Sequence, residues 1–240
     1  MPSPRRRIDI ITIFPRMFTN VLGSSILKRA QRSRRVAIHM HDLRRYTQDR
    51  RRTVDDRPYG GGPGMILKPE PLFKAVEAIT RRTRAYARGR HVILLAPQGQ
   101  PLTQSLVERL AHYRQLILIC GRYEGVDERV RQALVDREIS IGDYVVTGGE
   151  LPAMVVVDAV VRLLPGVIGH PQATHTESFR NGLLEYPQYT RPAVYRRRRV
   201  PTVLLTGDHV AIARWRQLQA VARTMTRRPD VLTMIPRGTS

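Results

Sequence analysis

Short apolar runs rich in β-branched residues alternate with helical patterns along the first part of the chain. Four of these runs predict buried strands, at residues 8–14, 36–40, 92–96 and 116–120. The runs are apolar at nearly every position, which favours a parallel sheet covered on both faces over a half-exposed antiparallel sheet. The pattern therefore predicts an α/β fold with a mostly parallel sheet.

Apolar residues recur at helical spacing in the segments between and after these strands. Leu102, Leu106 and Leu110 recur at helical spacing between the third and fourth strands, which predicts a helix. Thr103 is a candidate N-cap for this helix. A strand, a helix and a strand of these lengths predict a βαβ unit. Two further helices are predicted over residues 71–85 and 151–164.

The composition changes near residue 168. Residues 169–180 are polar and have no periodicity, so they are predicted to form a linker. A later helix is predicted to begin at Asp208, an N-cap residue. Its expected apolar stripe is Ile212, Trp215, Leu218 or Gln219, and Ala222. We therefore expect an α/β domain over residues 1–168, a linker, and a small basic helical domain over residues 181–240.

The chain carries a large excess of positive charge. Its 240 residues include 41 Lys and Arg against 20 Asp and Glu, which gives a formal net charge of +21. This excess makes a polyanion, either nucleic acid or an anionic membrane, the first candidate partner. Only three of the cations are lysines. Codon composition is therefore an alternative source of part of the arginine excess.

The single cysteine and the absence of long apolar runs restrict the class of protein. Cys120 alone excludes an intrachain disulfide and a Cys-rich zinc site, and it is typical of a reducing compartment. No apolar run approaches the ~18–20 residues that span a bilayer. The basic start of the chain has no signal-peptide cleavage pattern. We therefore expect a cytoplasmic protein with no segment that spans a membrane.

Three glycine-rich segments carry the candidate chemistry. Residues 51–65 read RRTVDDRPYGGGPGM, residues 121–130 read GRYEGVDERV, and residues 140–154 read SIGDYVVTGGELPAM. None has a P-loop or Rossmann pattern. The second follows a predicted strand, where ligands bind in open α/β sheets. A flexible surface loop is the alternative for the first segment, and a solvated strand-to-helix turn for the second.

These three segments closely resemble hallmark segments of the bacterial tRNA (guanine-37-N1)-methyltransferases of the SPOUT class. Further matches are LAPQG at 95–99, LPGVIGH at 164–170, GLLEYPQYTRP at 182–192 and RRP at 227–229. The resemblance covers nearly the whole chain. It implies an α/β domain with a deep trefoil knot, a homodimer that shares its active site between two chains, and a C-terminal domain that binds the tRNA anticodon stem-loop.

The resemblance also implies that S-adenosylmethionine binds in the knot loops. Carried over by position, these loops are residues 95–99, 121–124 and 140–152. The expected cofactor-binding residues are Leu95, Pro97, Gly121, Tyr123, Glu124, Ser140, Ile141, Gly142, Asp143, Tyr144, Val145, Val146, Gly148, Gly149 and Pro152. The family also suggests a need for Mg²⁺, which no ligand cluster in the sequence supports.

Two residues outside the glycine-rich segments are the expected catalytic groups. Guanine N1 carries a proton that a base must remove, and the charge that then develops on O6 calls for a cationic donor. The resemblance implies Arg162 as the donor and a linker carboxylate as the base. The family has an Asp-Ser-Phe triplet where this chain has Glu177-Ser178-Phe179. Glu177 is therefore the expected base, and His170 and His175 are the alternatives nearby.

Three other functions stay open at the level of sequence. One is methylation of a different RNA base by the same fold, because Glu177 departs from the family triplet. Another is non-catalytic RNA binding, against which the intact cofactor loops and Arg162 argue. The last is binding to DNA or to a membrane surface. DNA binding is not supported by any base-reading helix motif. Membrane binding is not needed to explain the apolar stripe of the last helix, which is more simply interpreted as part of a domain core.

Overall fold

The computed structural model describes residues 6–169 and 177–233. The chain divides into two compact units, residues 1–169 (the first unit) and residues 170–240 (the second unit). Within the described ranges, no helix is long and apolar enough to cross a membrane.

A five-stranded parallel sheet forms the centre of the first unit. Its strands are β1 (Arg6–Thr12), β2 (Val36–Asp42), β5 (Arg90–Pro101), β6 (Gln115–Cys120) and β7 (Arg137–Ser140). They lie in the order β2-β1-β6-β5-β7, and every neighbouring pair is parallel. A separate antiparallel pair is formed by β3 (Asp55–Asp56) and β4 (Ile66–Leu67). The predicted α/β fold with a mostly parallel sheet is confirmed.

Helices cover both faces of this sheet. They are α1 (Thr19–Leu22), α2 (Ser25–Arg32), α3 (Pro69–Arg82), α4 (Gln104–His112), α5 (Glu128–Leu134) and α6 (Glu150–Val161). Because successive strand residues point to opposite faces, Ile8 and Ile10 pack in one cluster with α2, α4 and α6, while Ile11 packs in a second cluster with α3. Burial on both faces explains why the strands are apolar at nearly every position.

Several element boundaries follow the local signals in the sequence. The Thr103 side chain accepts a hydrogen bond from Leu106 N at 3.3 Å, so the predicted N-cap of α4 is confirmed. Strands β5 and β6 are parallel neighbours joined through α4, as the predicted βαβ unit requires. The helices predicted over residues 71–85 and 151–164 are α3 and α6, with bounds that differ by a few residues.

The third glycine-rich segment begins in a strand that was not predicted. Residues 143–147, which come after it, contain no strand. The strand lies earlier, as β7, and the following residues form a loop around a cavity. The short elements α2, α5, β3 and β4 were also not predicted, because too few residues carry their pattern.

A buried polar cluster joins β1, β2 and β6. The fully buried Asp9 carboxylate accepts hydrogen bonds from Arg7 Nη2 at 2.7 Å, His41 Nε2 at 2.8 Å and Gln115 Nε2 at 2.7 Å. Burial alone would raise the pKa of Asp9, but these hydrogen bonds outweigh it and lower the pKa from 3.8 to about 2. Asp9 is therefore ionised at neutral pH.

The second unit contains a short antiparallel hairpin and two helices. They are β8 (Val194–Tyr195), β9 (Arg198–Arg199), α7 (His209–Arg227) and α8 (Pro229–Thr233). The Asp208 carboxylate accepts hydrogen bonds from Val210 N and Ala211 N, both at 3.0 Å. The predicted N-cap of α7 is thus confirmed.

The apolar stripe of α7 differs in part from the expected one. Leu218 is 60% exposed, so Gln219 rather than Leu218 continues the partly buried face. Ala222 is also exposed, and Thr224 is buried in its place. The reason is that the Thr224 hydroxyl accepts a hydrogen bond from Leu184 N at 2.8 Å, which draws this side of the helix inward.

Candidate active site

The second and third glycine-rich segments meet at the carboxyl end of the parallel sheet. They follow β6 and β7, which lie on either side of β5 and point the same way. Arg122 and Gly148 form an isolated antiparallel bridge, and Gly149 N donates a hydrogen bond to Gly121 O at 2.8 Å. This edge is where ligands bind in open α/β sheets.

The first glycine-rich segment lies against the second. Glu124 N donates a hydrogen bond to Met65 O at 3.0 Å, and Leu67 N donates one to Gly125 O at 3.0 Å. Leu67 and Val126 also form a parallel bridge. The segment that could have been a flexible surface loop is therefore hydrogen-bonded to the turn that follows β6.

A cavity of about 280 Å³ lies among the middle of β5, the end of β7 and the turns that follow β6 and β7. Thirteen of the fifteen residues expected to bind the cofactor line it: Leu95, Pro97, Gly121, Tyr123, Glu124, Ser140, Ile141, Tyr144, Val145, Val146, Gly148, Gly149 and Pro152. Gly142 and Asp143 belong to the same loop but do not line the cavity. The structure thus gathers residues from three separate loops around one concave site.

Backbone geometry shapes this cavity at two positions. A Cβ on Gly149 would lie 2.7 Å from Cys120 Cα, a distance at which the backbone would have to move. Only glycine therefore lets α6 begin this close to the end of β6. Tyr123 has a φ of 60°, in the left-handed region that is unfavourable for an aromatic residue. Such strain is concentrated at functional sites.

A buried ion pair fastens the turn after β6 to the start of α6. Glu150 is fully buried, and its carboxylate accepts hydrogen bonds from Arg122 Nε at 2.9 Å and from Thr12 Oγ1 at 2.8 Å. Arg122 also donates to Thr147 O at 3.0 Å, and its guanidinium lies 4.6 Å from the centre of the Phe14 ring. A buried carboxylate requires such partners. The pair therefore holds together two loops that line the cavity.

Neither Arg122 nor Glu150 stands out in the sequence, although both lie inside the glycine-rich segments. One signal could have indicated the ion pair: Glu150 is the only charged residue in the first turn of a very apolar helix. A carboxylate buried in such a setting almost always has a partner. Other lining residues were missed because they belong to elements that were not predicted. They are Glu128 and Arg131 of α5 and Glu138 and Ile139 of β7.

Neither a thiolate nor a metal cluster is found beside the cavity in the described part of the chain. Cys120 is buried at the end of β6. Burial raises the pKa of its thiol, and the nearby Glu150 carboxylate raises it further. The thiol is therefore neutral and packs as a small apolar group. No group of three or more His, Cys, Asp and Glu side chains that could hold a metal occurs within residues 6–169 and 177–233.

The two expected catalytic residues belong to different units. Arg162 follows α6, where its N–H donates to Asp158 O at 3.1 Å and the residue is half-buried. Glu177 is half-buried in the second unit and lines a cavity of about 450 Å³ within that unit. His170 and His175, the alternative bases, lie outside the described residues.

The chain matches one protein family along nearly its whole length. The family model described as tRNA (Guanine-1)-methyltransferase TrmD matches residues 6–234. A tRNA (guanine-N(1)-)-methyltransferase of Moorella thermoacetica is 57% identical over 229 residues, which are 95% of this chain and 91% of that protein. The protein of the same name from Geobacillus kaustophilus is 55% identical over 96% of this chain and 93% of its own length, and that from Chloroflexus aurantiacus is 57% identical over 94% and 88%. The chain therefore belongs to the tRNA (guanine-1)-methyltransferase family, TrmD, whose reaction is methyl transfer to N1 of guanine in tRNA.

Proposed function

We propose that this chain transfers the methyl group of S-adenosylmethionine to N1 of guanine 37 in tRNA. The observation that carries the proposal is the cavity at the carboxyl ends of β6 and β7, beside the middle of β5. Its walls combine apolar side chains, among them Leu95 and Ile139, with the backbone groups of glycine turns. Such walls suit an adenine ring and a thioether chain, which need shape and backbone hydrogen bonds rather than a phosphate-binding lysine.

The charge of the cavity lining also suits a cationic methyl donor. Glu124, Glu128 and Glu138 line the cavity, against Arg122 and Arg131. Arg122 is already paired with the buried Glu150. Among the other charged lining residues there are three carboxylates and one cation, Arg131. The cavity is therefore locally acidic, although the chain as a whole has a net charge of +21. This local excess favours a ligand with sulfonium and ammonium groups over one with phosphates.

The catalytic step divides between Glu177 and Arg162. When bound, S-adenosylmethionine supplies an electrophilic methyl group on its sulfonium sulfur. Glu177 acts as general base and takes the proton from guanine N1, which leaves the N1 electron pair free to form the new bond. Arg162 donates a hydrogen bond to O6, where the negative charge develops. Mg²⁺ has no assigned role in this scheme.

The active protein in this proposal is a homodimer that shares its active site between two chains. An exposed apolar surface of the first unit supports a dimer interface: Phe14, Met17, Val21, Leu151 and Val155 are each at least 40% exposed. Leu151 and Val155 lie one turn apart on α6, and residues 15–18 contact that helix. Several exposed apolar side chains on neighbouring elements are typical of a protein interface.

The proposal further includes a trefoil knot in the first unit and tRNA binding by the second. The knot is supported by the path of the chain, which leaves β7 on one side of β5 and returns to the end of β6, on the other side, at Gly149. We assign residues 1–168 to the knotted methyltransferase domain, residues 169–180 to a linker, and residues 181–240 to the domain that binds the anticodon stem-loop. The site of action is the cytoplasm, where the tRNA substrate is found.

A methylation assay with labelled S-adenosylmethionine tests this function. We expect label at N1 of G37 in a tRNA that has guanine at this position, and no label when G37 is replaced. Label that survives the replacement would favour another target base. If calorimetry shows cofactor binding but neither tRNA is labelled, a non-catalytic RNA-binding role is favoured. Absence of cofactor binding would overturn the enzyme assignment.

A further inference from the structure

The hairpin of the second unit has a turn that its residues do not favour. β8 and β9 pair Val194 with Arg199 and Tyr195 with Arg198, which leaves Arg196 and Arg197 as a two-residue turn. The φ angles of these two arginines are 49° and 62°. Two-residue turns with both φ angles positive strongly prefer Asn-Gly, because the left-handed region is unfavourable for residues with long side chains. Among the described residues, no other adjacent pair of non-glycine residues has positive φ.

The same hairpin concentrates positive charge at the surface. All residues from 191 to 199 are exposed, and within the described part of the chain none of the guanidinium groups of Arg196–Arg199 has a carboxylate partner. The sequence from residue 170 to residue 240 has twelve arginines, no lysine and four acidic residues. Tyr195 is 62% exposed, and the Arg196 guanidinium lies 5.4 Å from the centre of its ring.

A cavity of about 430 Å³ lies at the base of this hairpin. Arg191, Ala193 and Val200, which flank the two strands, form part of its wall. Tyr186 and Tyr189 supply aromatic surface, and the Arg216 guanidinium lies 4.9 Å from the centre of the Tyr186 ring. Gln188 and Thr190 add polar groups that can donate and accept hydrogen bonds.

We propose that the hairpin binds the backbone phosphates of an unpaired RNA nucleotide whose base enters this cavity. Aromatic rings, stacked guanidinium groups and a few polar side chains are the means by which proteins bind unstacked bases. A duplex fits less well, because its bases are stacked inside the helix and cannot enter the cavity. This role also explains why the unfavourable turn contains arginines: the two guanidinium groups at its tip are needed to contact phosphates.

This inference rests on the proposed function, in which the second unit binds the tRNA anticodon stem-loop. To that function it adds two details: the hairpin is the part of the second unit that contacts the RNA, and the bound nucleotide is unpaired. The contact is made through phosphates at Arg196 and Arg197 and through a base beside Tyr189. Loops of RNA stem-loops supply unpaired nucleotides of this kind.

Variants of the turn separate its charge from its conformation. R196N/R197G removes two charges and supplies the preferred Asn-Gly turn, whereas R196Q/R197Q removes the charges alone. We expect both variants to bind tRNA on the order of tenfold more weakly, with the slope of log Kd against log salt reduced by about 1.4, since each phosphate contact on a single strand contributes ~0.7. R196N/R197G should also have a higher Tm than R196Q/R197Q.

The matched control is R29Q/R32Q, which removes two exposed arginines from α2. It should leave the affinity for tRNA and the salt slope close to those of the wild type. Equal losses in the control and the turn variants would overturn the proposal, since the effect would then be one of bulk charge. Wild-type affinity of the turn variants would overturn it as well.

The base-binding part is tested with Tyr189→Ala and Tyr189→Phe. The Ala variant should bind an RNA stem-loop roughly 5- to 100-fold more weakly, as expected for a lost stacking contact, while the Phe variant keeps the affinity. The wild type should prefer the stem-loop to a blunt duplex of the same stem, and equal binding would overturn the proposal. Methylation of tRNA by the wild type is measured alongside. Its absence would count against the proposed function, whereas unchanged RNA binding by the variants would overturn only this inference.

Discussion

Glu177 is the proposed general base, and it has one methylene more than the Asp that the family resemblance leads us to expect at this position. Proton transfer is sensitive to such a difference. A shift of a catalytic group by on the order of 1 Å can cost ~10²-fold in rate. We therefore predict that Glu177→Asp raises the single-turnover rate of methylation and that Glu177→Ala lowers it roughly 10²- to 10⁴-fold. Single-turnover kinetics at saturating S-adenosylmethionine measures both rates. An unchanged rate in the Ala variant would assign the base to another residue.

The ionisation of the buried Asp9 contributes to stability at low pH. Its pKa is about 2 in the folded protein, below the ordinary value of 3.8. The ionised carboxylate therefore stabilises the fold above about pH 4, by on the order of 2 kcal/mol, and this contribution is lost as the pH falls through about 2. We expect Asp9→Asn to lower the free energy of unfolding at pH 7 and to flatten its decline between about pH 4 and pH 2. Urea unfolding across this range measures both effects, and an unchanged decline would contradict the assignment.

Residue-scale features were predictable from sequence when their partners are close along the chain. The caps at Thr103 and Asp208 bond to backbone groups two or three residues away, so their sequence context was sufficient. The pairing of Glu150 with Arg122 joins residues 28 positions apart, and its bond to Thr12 spans 138 positions. Such contacts depend on the topology of the sheet, which local patterns do not contain.

The start of α6 is the element on which the shape of the cavity depends most directly. Its first residue, Glu150, pairs with Arg122, and Gly149 packs against β6. Removing one partner of a buried ion pair costs about 3–5 kcal/mol because the other charge stays buried. We predict that Glu150→Gln lowers the Tm and weakens S-adenosylmethionine binding about tenfold or more, since both loops lose their fixed position.

The control for this prediction is Glu70→Gln, which removes an exposed carboxylate from the first turn of α3. A surface change of this kind should alter stability by no more than about 0.5 kcal/mol. Calorimetry at a temperature where each variant is folded measures cofactor binding separately from stability. A Glu150→Gln protein that melts early but binds the cofactor with wild-type affinity would show that the pair serves the fold alone.

Elements were predictable in proportion to the length of their pattern. Strands β1, β2, β5 and β6 and helices α3, α4, α6 and α7 carry long apolar runs or several turns of periodicity. Strand β7 has four residues, and β3 and β4 have two each, which is too short for a period to be read. Their positions are set by neighbouring strands, which is also why the lining residues of β7 were not expected.

At the scale of the whole molecule, the exposed apolar surface around α6 predicts the oligomeric state. We expect the wild type to sediment as a dimer and Leu151→Asp and Val155→Asp to sediment as monomers, because each places a charge on the proposed interface. If the active site is shared between two chains, as proposed, the methylation rate should fall in any variant that no longer dimerises. Analytical ultracentrifugation gives the oligomeric state of each variant.

A matched control for the dimer prediction is Val210→Asp. Val210 is 80% exposed on α7, in the second unit, outside the proposed interface. This variant should remain a dimer with wild-type sedimentation. If the α6 variants also sediment as the wild type does, the apolar surface is not the interface.

The overall architecture was predictable because it depends on simple rules of layering. Continuous apolar runs require cover on both faces of the sheet, and parallel strands place the second and third glycine-rich segments at one edge. The location of the first segment beside them could not be derived, because it depends on the backbone hydrogen bonds of Met65 and Leu67. The proposed knot could not be derived from such rules either, because they treat knotted chains as rare exceptions.

The exposed arginine hairpin has a practical consequence. A protease that cleaves after arginine meets four successive sites, two in the exposed turn at Arg196 and Arg197 and two in the exposed strand β9. Bound RNA would cover these sites, and free protein would leave them open. The rate at which the chain is cut there is therefore a direct measure of occupancy, which can be read from fragment sizes without any label on protein or RNA.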